Sequence, residues 1–294
     1  MPTVNANGID IRYESYGGEL AAGQRLGPVW PLVLTHGFAG PLDCWAAEVM
    51  PLADERMLIM YDVRGHGRSS VPADESQYSM PVFAADLAAL LRAIGVERAH
   101  VGGVSMGGMV TAQFAVDYPQ MCESVLICDS TCGNGAGEGV AGDWERRLKM
   151  GIGLLSNSVR ERGLEETLRR ELEWKKANDP HLDDSPYSFE EDLERIKLMT
   201  PEGYIGAARA IAERPDLTSR IPQISAPTLI MIGEWDDFLP CALRDRELIP
   251  GSRLIVRRRC AHGSRWRAET FLSEVESFLD EVEAGRPVTG EREV

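Results

Sequence analysis

Short runs that are apolar almost throughout recur along this chain, and between them the pattern switches to helical periodicity. Residues 31–35, 57–61, 100–104, 125–128 and 228–232 are runs of this kind. A strand with one wet face alternates, whereas a strand apolar at nearly every position must be covered on both faces, the usual condition of a parallel strand. Residues 254–256 predict a further strand, and 9–16 alternate as an antiparallel edge strand does. Ser79 can cap a helix in which Pro81 sits early and Val82, Ala85, Leu87, Leu90, Leu91 and Ile94 follow before Gly95. Residues 106–118 and 268–282 predict two more helices, the second with Phe271, Leu272, Val275, Phe278 and Leu279 on one stripe. Strands alternating with helices imply right-handed crossovers, hence an α/β chain with a mostly parallel, twisted sheet flanked by helices.

Residues 133–222 break that rhythm: no strand-like run appears, while helix starts do. Ser188 with Glu191 fits a capping box, and Thr200-Pro201-Glu202 fits an N-cap with proline at the first helical position. The stretch is too long for a loop. It predicts a helical lid inserted over a core made of residues 1–132 and 223–284. The polar residues 285–294 predict a disordered tail.

Composition narrows the function. With 31 Lys and Arg against 46 Asp and Glu, the chain carries −15 and a pI near 4.9. So acidic a surface repels phosphate backbones and anionic lipid, which argues against nucleic acid or a membrane as partner. No apolar run reaches the roughly 18 residues of a membrane span, and the N-terminus lacks the basic and apolar regions of a signal peptide. Six cysteines without a Cys-x-x-Cys pair predict free thiols, no metal site and a cytoplasmic location. At 294 residues and 44% hydrophobic, the chain can build a sizeable core without staples.

Gly103-Val104-Ser105-Met106-Gly107-Gly108 follows a predicted strand and opens a predicted helix. A serine exposed on so sharp a turn needs small residues two positions before and after it, and the helix offers its positive end to developing negative charge. G-x-S-x-G alone is a weak motif; between a strand and a helix it is a strong one.

Here the chain resembles the α/β-hydrolases, of the serine-esterase and enol-lactonase type, over nearly its whole length. His36-Gly37-Phe38-Ala39-Gly40 is similar to the family's oxyanion segment, and Asp62-Val63-Arg64-Gly65-His66-Gly67-Arg68-Ser69 to its loop after the next strand. Gly233-Glu234-Trp235-Asp236, with Pro240 beyond, is similar to the strand end that carries the acid, and His262 precedes the last helix. The resemblance implies an α/β-hydrolase fold with the family order of nucleophile, acid and base kept as Ser105, Asp236 and His262. It also implies an oxyanion hole from the backbone N–H groups of Phe38 and Met106, no metal and no cofactor.

Of the other histidines, His36 and His66 read as structural, His100 as a packing or surface residue and His181 as a loop residue. Asp237 would point away from the base, and Asp129, after the run 125–128, is an alternative acid. Serine rather than aspartate at the turn favours acyl transfer on an ester, lactone or thioester, or cleavage of a ketone C–C bond, over dehalogenation or epoxide opening. Tyr187 and Tyr204 then read as packing or substrate contacts. The apolar lid residues Trp144, Leu148, Ile152, Leu154, Leu155, Trp174, Leu198 and Met199 suggest a water-poor pocket. Gly37, Trp144, Leu154 and Trp235 are the pocket candidates, with Phe38 and Met106 as further acyl contacts.

The expected partner is a small ester or lactone, and a homodimer is left open. The competing readings are a C–C bond hydrolase acting on a ring-cleavage diketone, a perhydrolase side activity and a non-catalytic ligand-binding homologue. One departure from the family is the cluster Arg257, Arg258, Arg259, Arg265 and Arg267 around the base. Such a cluster either draws an anionic substrate to the pocket mouth or pairs with acidic neighbours.

Overall fold

The computed structural model describes residues 2–17, 29–40, 42–45, 49–178, 194, 198–263 and 268–294. Its strands are β1 (Thr3–Ala6), β2 (Ile9–Tyr16), β3 (Leu32–Thr35), β4 (Leu58–Tyr61), β5 (Ala99–Val104), β6 (Cys122–Cys128), β7 (Thr228–Gly233), β8 (Arg253–Arg257) and β9 (Gly290–Glu293). They form one sheet in the order β1-β2-β4-β3-β5-β6-β7-β8-β9. β1 and β2 pair antiparallel, as do β2 and β4, and every later pairing is parallel.

Strands β3, β4 and β7 are buried at every position, as their apolar runs require, and alternate residues feed opposite faces. Val33, Ile59, Val101, Val125 and Ile230 pack under α1 (Met80–Ala93) and α2 (Met106–Asp117). Leu32, Leu34, Met60, Leu126, Met231 and Ile255 pack under α7 (Ala268–Glu283) through Phe271, Val275, Phe278 and Leu279. Burying a side chain of this size stabilises the fold by about 1.5–3 kcal/mol. Ser79 caps α1 through the Val82 N–H at 3.3 Å, and Thr200 caps α5 (Pro201–Ala212) through the Gly203 N–H at 3.1 Å.

The segment between β6 and β7 carries α3 (Gly139–Arg162), α4 (Leu164–Asn178) and α5. It is anchored to α6 (Leu239–Leu248) by buried charge: Glu145 accepts from the Gly135 N–H at 2.8 Å and from Arg244 at 3.0 Å, and Arg244 also pairs with Asp245. The capping box at Ser188 and Glu191, together with Tyr187 and His181, lies outside the described residues.

Two strands depart from the sequence expectation. β1 arises because Asn7 and Gly8 both adopt positive φ, 51° and 79°, the turn that closes a two-residue hairpin. The tail is not disordered throughout. Gly290–Glu293 runs parallel to β8, where the exposed edge supplies backbone partners, and the Val294 N–H donates to Val256 O at 3.0 Å. Its polar side chains give no strand signal because an edge strand is held by main-chain bonds and needs little apolar surface.

Among the described residues no helix is long and apolar enough to cross a membrane. All six cysteines are buried thiols.

Candidate active site

Ser105 lies between β5 and α2 with φ 55° and ψ −117°, a strained combination for a residue bearing a Cβ. Its surroundings hold it there: the Ser105 N–H donates to Cys128 O at 3.0 Å, and the Ser130 hydroxyl donates to Ser105 O at 2.7 Å. The flanking glycines are needed for contact rather than flexibility. A Cβ on Gly107 would lie 2.7 Å from His36 O and closer still to Thr35 O, and one on Gly103 would lie 2.9 Å from Gly107 Cα. The strand end, the turn and the main chain of Thr35 and His36 therefore touch through bare backbone. Met106 is the first residue of α2, so its N–H has no acceptor within the helix. Its side chain, expected to line an acyl pocket, is instead fully buried in the core.

Beyond β7 the chain turns through Glu234 and Trp235 to Asp236, and beyond β8 it turns back to His262. These turns bring together side chains far apart in sequence. His262 Nε2 lies 3.0 Å from Ser105 Oγ, and His262 Nδ1 lies 2.9 Å from Asp236 Oδ2. Asp236 is buried, and its other oxygen accepts the Phe238 N–H at 2.8 Å. Asp237 is exposed and faces away, as its position beside Asp236 predicts. Phe238 stacks on the His262 ring at 5.1 Å, a contact no sequence pattern announces.

The other described histidines, His36, His66 and His100, are scaffold. His36 is fully buried, its Nδ1 facing Gly37 O at 2.8 Å and its Nε2 accepting the Val63 N–H at 2.9 Å. His66 Nε2 accepts the Ala39 N–H at 3.3 Å, with Nδ1 3.1 Å from Arg64 O. Asp62 accepts the Leu42 and Arg68 N–H groups, both at 2.9 Å. The loop after β4 thus holds His36, Ala39 and Leu42 in place. His100 joins Ser124 and Glu283 in a buried chain at the opposite end of β5, so it is a polar strut rather than a surface residue.

Burial, and then the neighbouring His36, push the His66 imidazole down from 6.5 to about 3. An unfolded chain therefore binds a proton that the folded chain refuses once the pH drops below 6.5. The stability this histidine contributes is complete above that pH and falls by up to about 1.4 kcal/mol per unit as the pH is lowered toward 3. Glutamine at 66 keeps an acceptor and cannot titrate. The stability gap between wild type and His66→Gln in urea titrations should move by that amount per unit between pH 6 and pH 4; a constant gap would remove His66 as the cause.

The pocket candidates divide. A Cβ on Gly37 would sit 3.6 Å from Ser105 Cβ, so this backbone lies against the serine. Trp144 packs edge-on against Phe238 at 5.6 Å, one ring removed from His262. Trp235 is 36% exposed on the turn that carries Asp236. Leu154 is not a pocket residue: it is 68% exposed, on the side of α3 opposite the buried stripe of Glu145, Ile152 and Ser156. Trp174 and Leu198 are likewise exposed, whereas Ile152 and Met199 are buried. Tyr204 is buried against Phe38 at 4.6 Å, which makes it a packing residue.

The arginine cluster also divides. Arg257 turns inward and pairs with Asp129 at 2.8 Å, and Arg258 pairs with Glu293 at 2.8 Å on the surface. For these two the pairing alternative holds. Arg265 and Arg267 lie outside the described residues. Among the described residues no group of three or more His, Cys, Asp or Glu side chains could hold a metal ion.

A turn serine beneath an imidazole, at the carboxyl ends of a mostly parallel sheet, is the arrangement of one large class of hydrolytic enzymes. Residues 31–264 match the family model described as alpha/beta hydrolase fold, and the chain belongs to that family. It is 26% identical to 3-oxoadipate enol-lactonase 2 of Acinetobacter baylyi over 234 residues, 80% of this chain and 79% of that protein. It is 28% identical to 2-hydroxy-6-oxononadienedioate/2-hydroxy-6-oxononatrienedioate hydrolase 2 of Pseudomonas putida over 257 residues, 84% of this chain and 87% of that one. Among solved structures it is similar to a thermophilic esterase from Thermogutta terrifontis, with a TM-score of 0.76, 26% identity and coverage of 96% and 98% of the two chains.

Proposed function

We propose that this protein is a serine hydrolase cleaving a carboxylic ester or lactone through an acyl-enzyme. The observation that carries the reading is the unbroken line from Asp236 Oδ2 through His262 to Ser105 Oγ, with links of 2.9 and 3.0 Å. With Nδ1–H donating to Asp236, Nε2 is left as the acceptor of the serine proton, so one tautomer serves the whole step. Ser105 Oγ bonds to the substrate carbonyl carbon while its proton passes to His262 Nε2. The carbonyl oxygen becomes an oxyanion facing the N–H groups of Phe38 and Met106. The same proton then goes to the leaving alkoxide as the C–O bond breaks, and water repeats the sequence on the acyl-enzyme. Donors of the oxyanion-hole kind each contribute about 3–4 kcal/mol to the barrier reduction.

The helices of residues 133–222 act in this reading as a lid, with Trp144 on Phe238 as its contact with the base. The reading needs neither metal nor cofactor, and it places the reaction on a small molecule in the cytoplasm. A fluorophosphonate probe should label wild-type protein at Ser105 and leave Ser105→Ala unlabelled. Folded wild type that resists the probe would end the acyl-transfer reading.

A second reading rests on the Pseudomonas putida relative. A hydroxy-oxo-dienedioate contains no ester, so water can divide it only at a C–C bond. Release of two acids from such a diketone, with no turnover of an ester and lactone panel, would favour this reading.

A further inference from the structure

Asp129 directly follows β6, with φ 43°, and is buried, as is Arg257 at the end of β8. The sequence offers Asp129 as an alternative acid, but Asp236 occupies His262 Nδ1. Asp129 faces three other groups. Its Oδ1 accepts the Gly233 N–H at 3.2 Å, its Oδ2 accepts the Gly263 N–H at 3.1 Å, and Arg257 Nη2 lies 3.1 and 2.8 Å from the two oxygens. Gly233 ends the strand that leads to Asp236, and Gly263 directly follows His262.

We propose that the Asp129–Arg257 pair sets the distance between acid and base, Asp129 being a positioning residue that acts on His262 through the Gly263 N–H; this rests on the acyl-transfer reading above. The base needs such support. Its side chain is 42% exposed, and the loop that carries it has a left-handed residue on either side, Arg259 at φ 56° before it and Gly263 at φ 64° after it. Phe238 covers one face of the ring. The Arg259 N–H donates to Glu234 at 2.8 Å and the Trp235 N–H to Cys260 O at 2.9 Å, which ties the near side of the loop to the acid turn. Asp129 ties the far side. One carboxylate thus joins the ends of β6, β7 and β8 beneath the reacting groups.

Arg257 explains how a carboxylate can do this while buried. Burial pushes the Asp129 carboxyl above the usual range, and the guanidinium works against that shift. An unpaired carboxylate at this depth would take up a proton, and one of its oxygens would cease to be a pure acceptor. The guanidinium also lies over the Phe271 ring at 5.8 Å, so α7 holds it from behind. Asp236 bonds to the imidazole at Nδ1, and Asp129 lies close enough to act on it electrostatically.

The test is Asp129→Asn, which keeps the shape and removes the charge, in the full chain. Turnover of an ester should fall about 10–100-fold with KM within about twofold, as expected when a catalytic group is misplaced while substrate binding is spared. The downfield proton resonance of His262 Nδ1–H should shift or broaden in the same variant. That second reading needs no substrate, so it stands even if the wild type hydrolyses no ester, an outcome that would count against the acyl-transfer reading instead. A folded Asp129→Asn protein with wild-type turnover and an unmoved resonance overturns the proposal. If the asparagine variant does not fold, Arg257→Lys decides by the same two measurements, because it keeps the charge and loses the guanidinium fork.

Discussion

Asp236→Asn and Ser105→Ala should each hydrolyse a p-nitrophenyl ester about 10⁴-fold more slowly than wild type. Their melting temperatures should stay close to it. The two losses have different origins. Without Oγ there is nothing to acylate. With asparagine at 236 the side-chain amide can donate to Nδ1, which favours the tautomer with its proton on Nε2, facing Ser105 Oγ at 3.0 Å. The base then holds its proton on the wrong nitrogen. The prediction separates the two buried aspartates by size of effect, since Asp129→Asn is expected to cost one or two powers of ten. An inert Asp129→Asn beside a near-normal Asp236→Asn would reverse the assignment.

Gly107→Ala should cost both stability and activity. The added carbon would meet the main-chain oxygens of Thr35 and His36, and neither belongs to a flexible side chain that could swing aside. Overpacking of a tight core costs about 1–3 kcal/mol when side chains can give; against backbone the upper end or beyond is expected. The strain falls where Ser105 already sits at φ 55°. Activity should therefore be lost even in the fraction that folds, through displacement of Oγ from His262. Thermal melting together with fluorophosphonate labelling of the folded fraction measures both effects. A stable variant labelled at the wild-type rate would show that the turn tolerates a side chain, and the steric account of the glycine spacing would fail.

Much of this was legible in the residues because its causes are local. Runs such as 125–128 and 228–232 are apolar almost throughout because both faces of a parallel strand are covered, and both became central strands. Ser79 with Pro81 marks the start of α1 because a cap needs only its own next turn. Leu154 was misplaced because its apolar side chain says nothing about direction; only the packing of α3 shows that the buried stripe lies on the other side. Phe238 went unnoticed because stacking on an imidazole leaves no spacing signal.

By itself the sequence determined the class of sheet and the sharp turn at Ser105, while the order of nucleophile, acid and base was implied by its resemblance to the α/β-hydrolases. Strand period, glycine spacing and capping act over a few residues and are written in a few residues. The tertiary structure alone decided which aspartate reaches the imidazole, that Arg257 turns inward while Arg258 turns outward, and that a polar tail completes the sheet edge. Each of these depends on where the ends of β6, β7 and β8 come to lie relative to one another, and that is fixed by packing across the whole core.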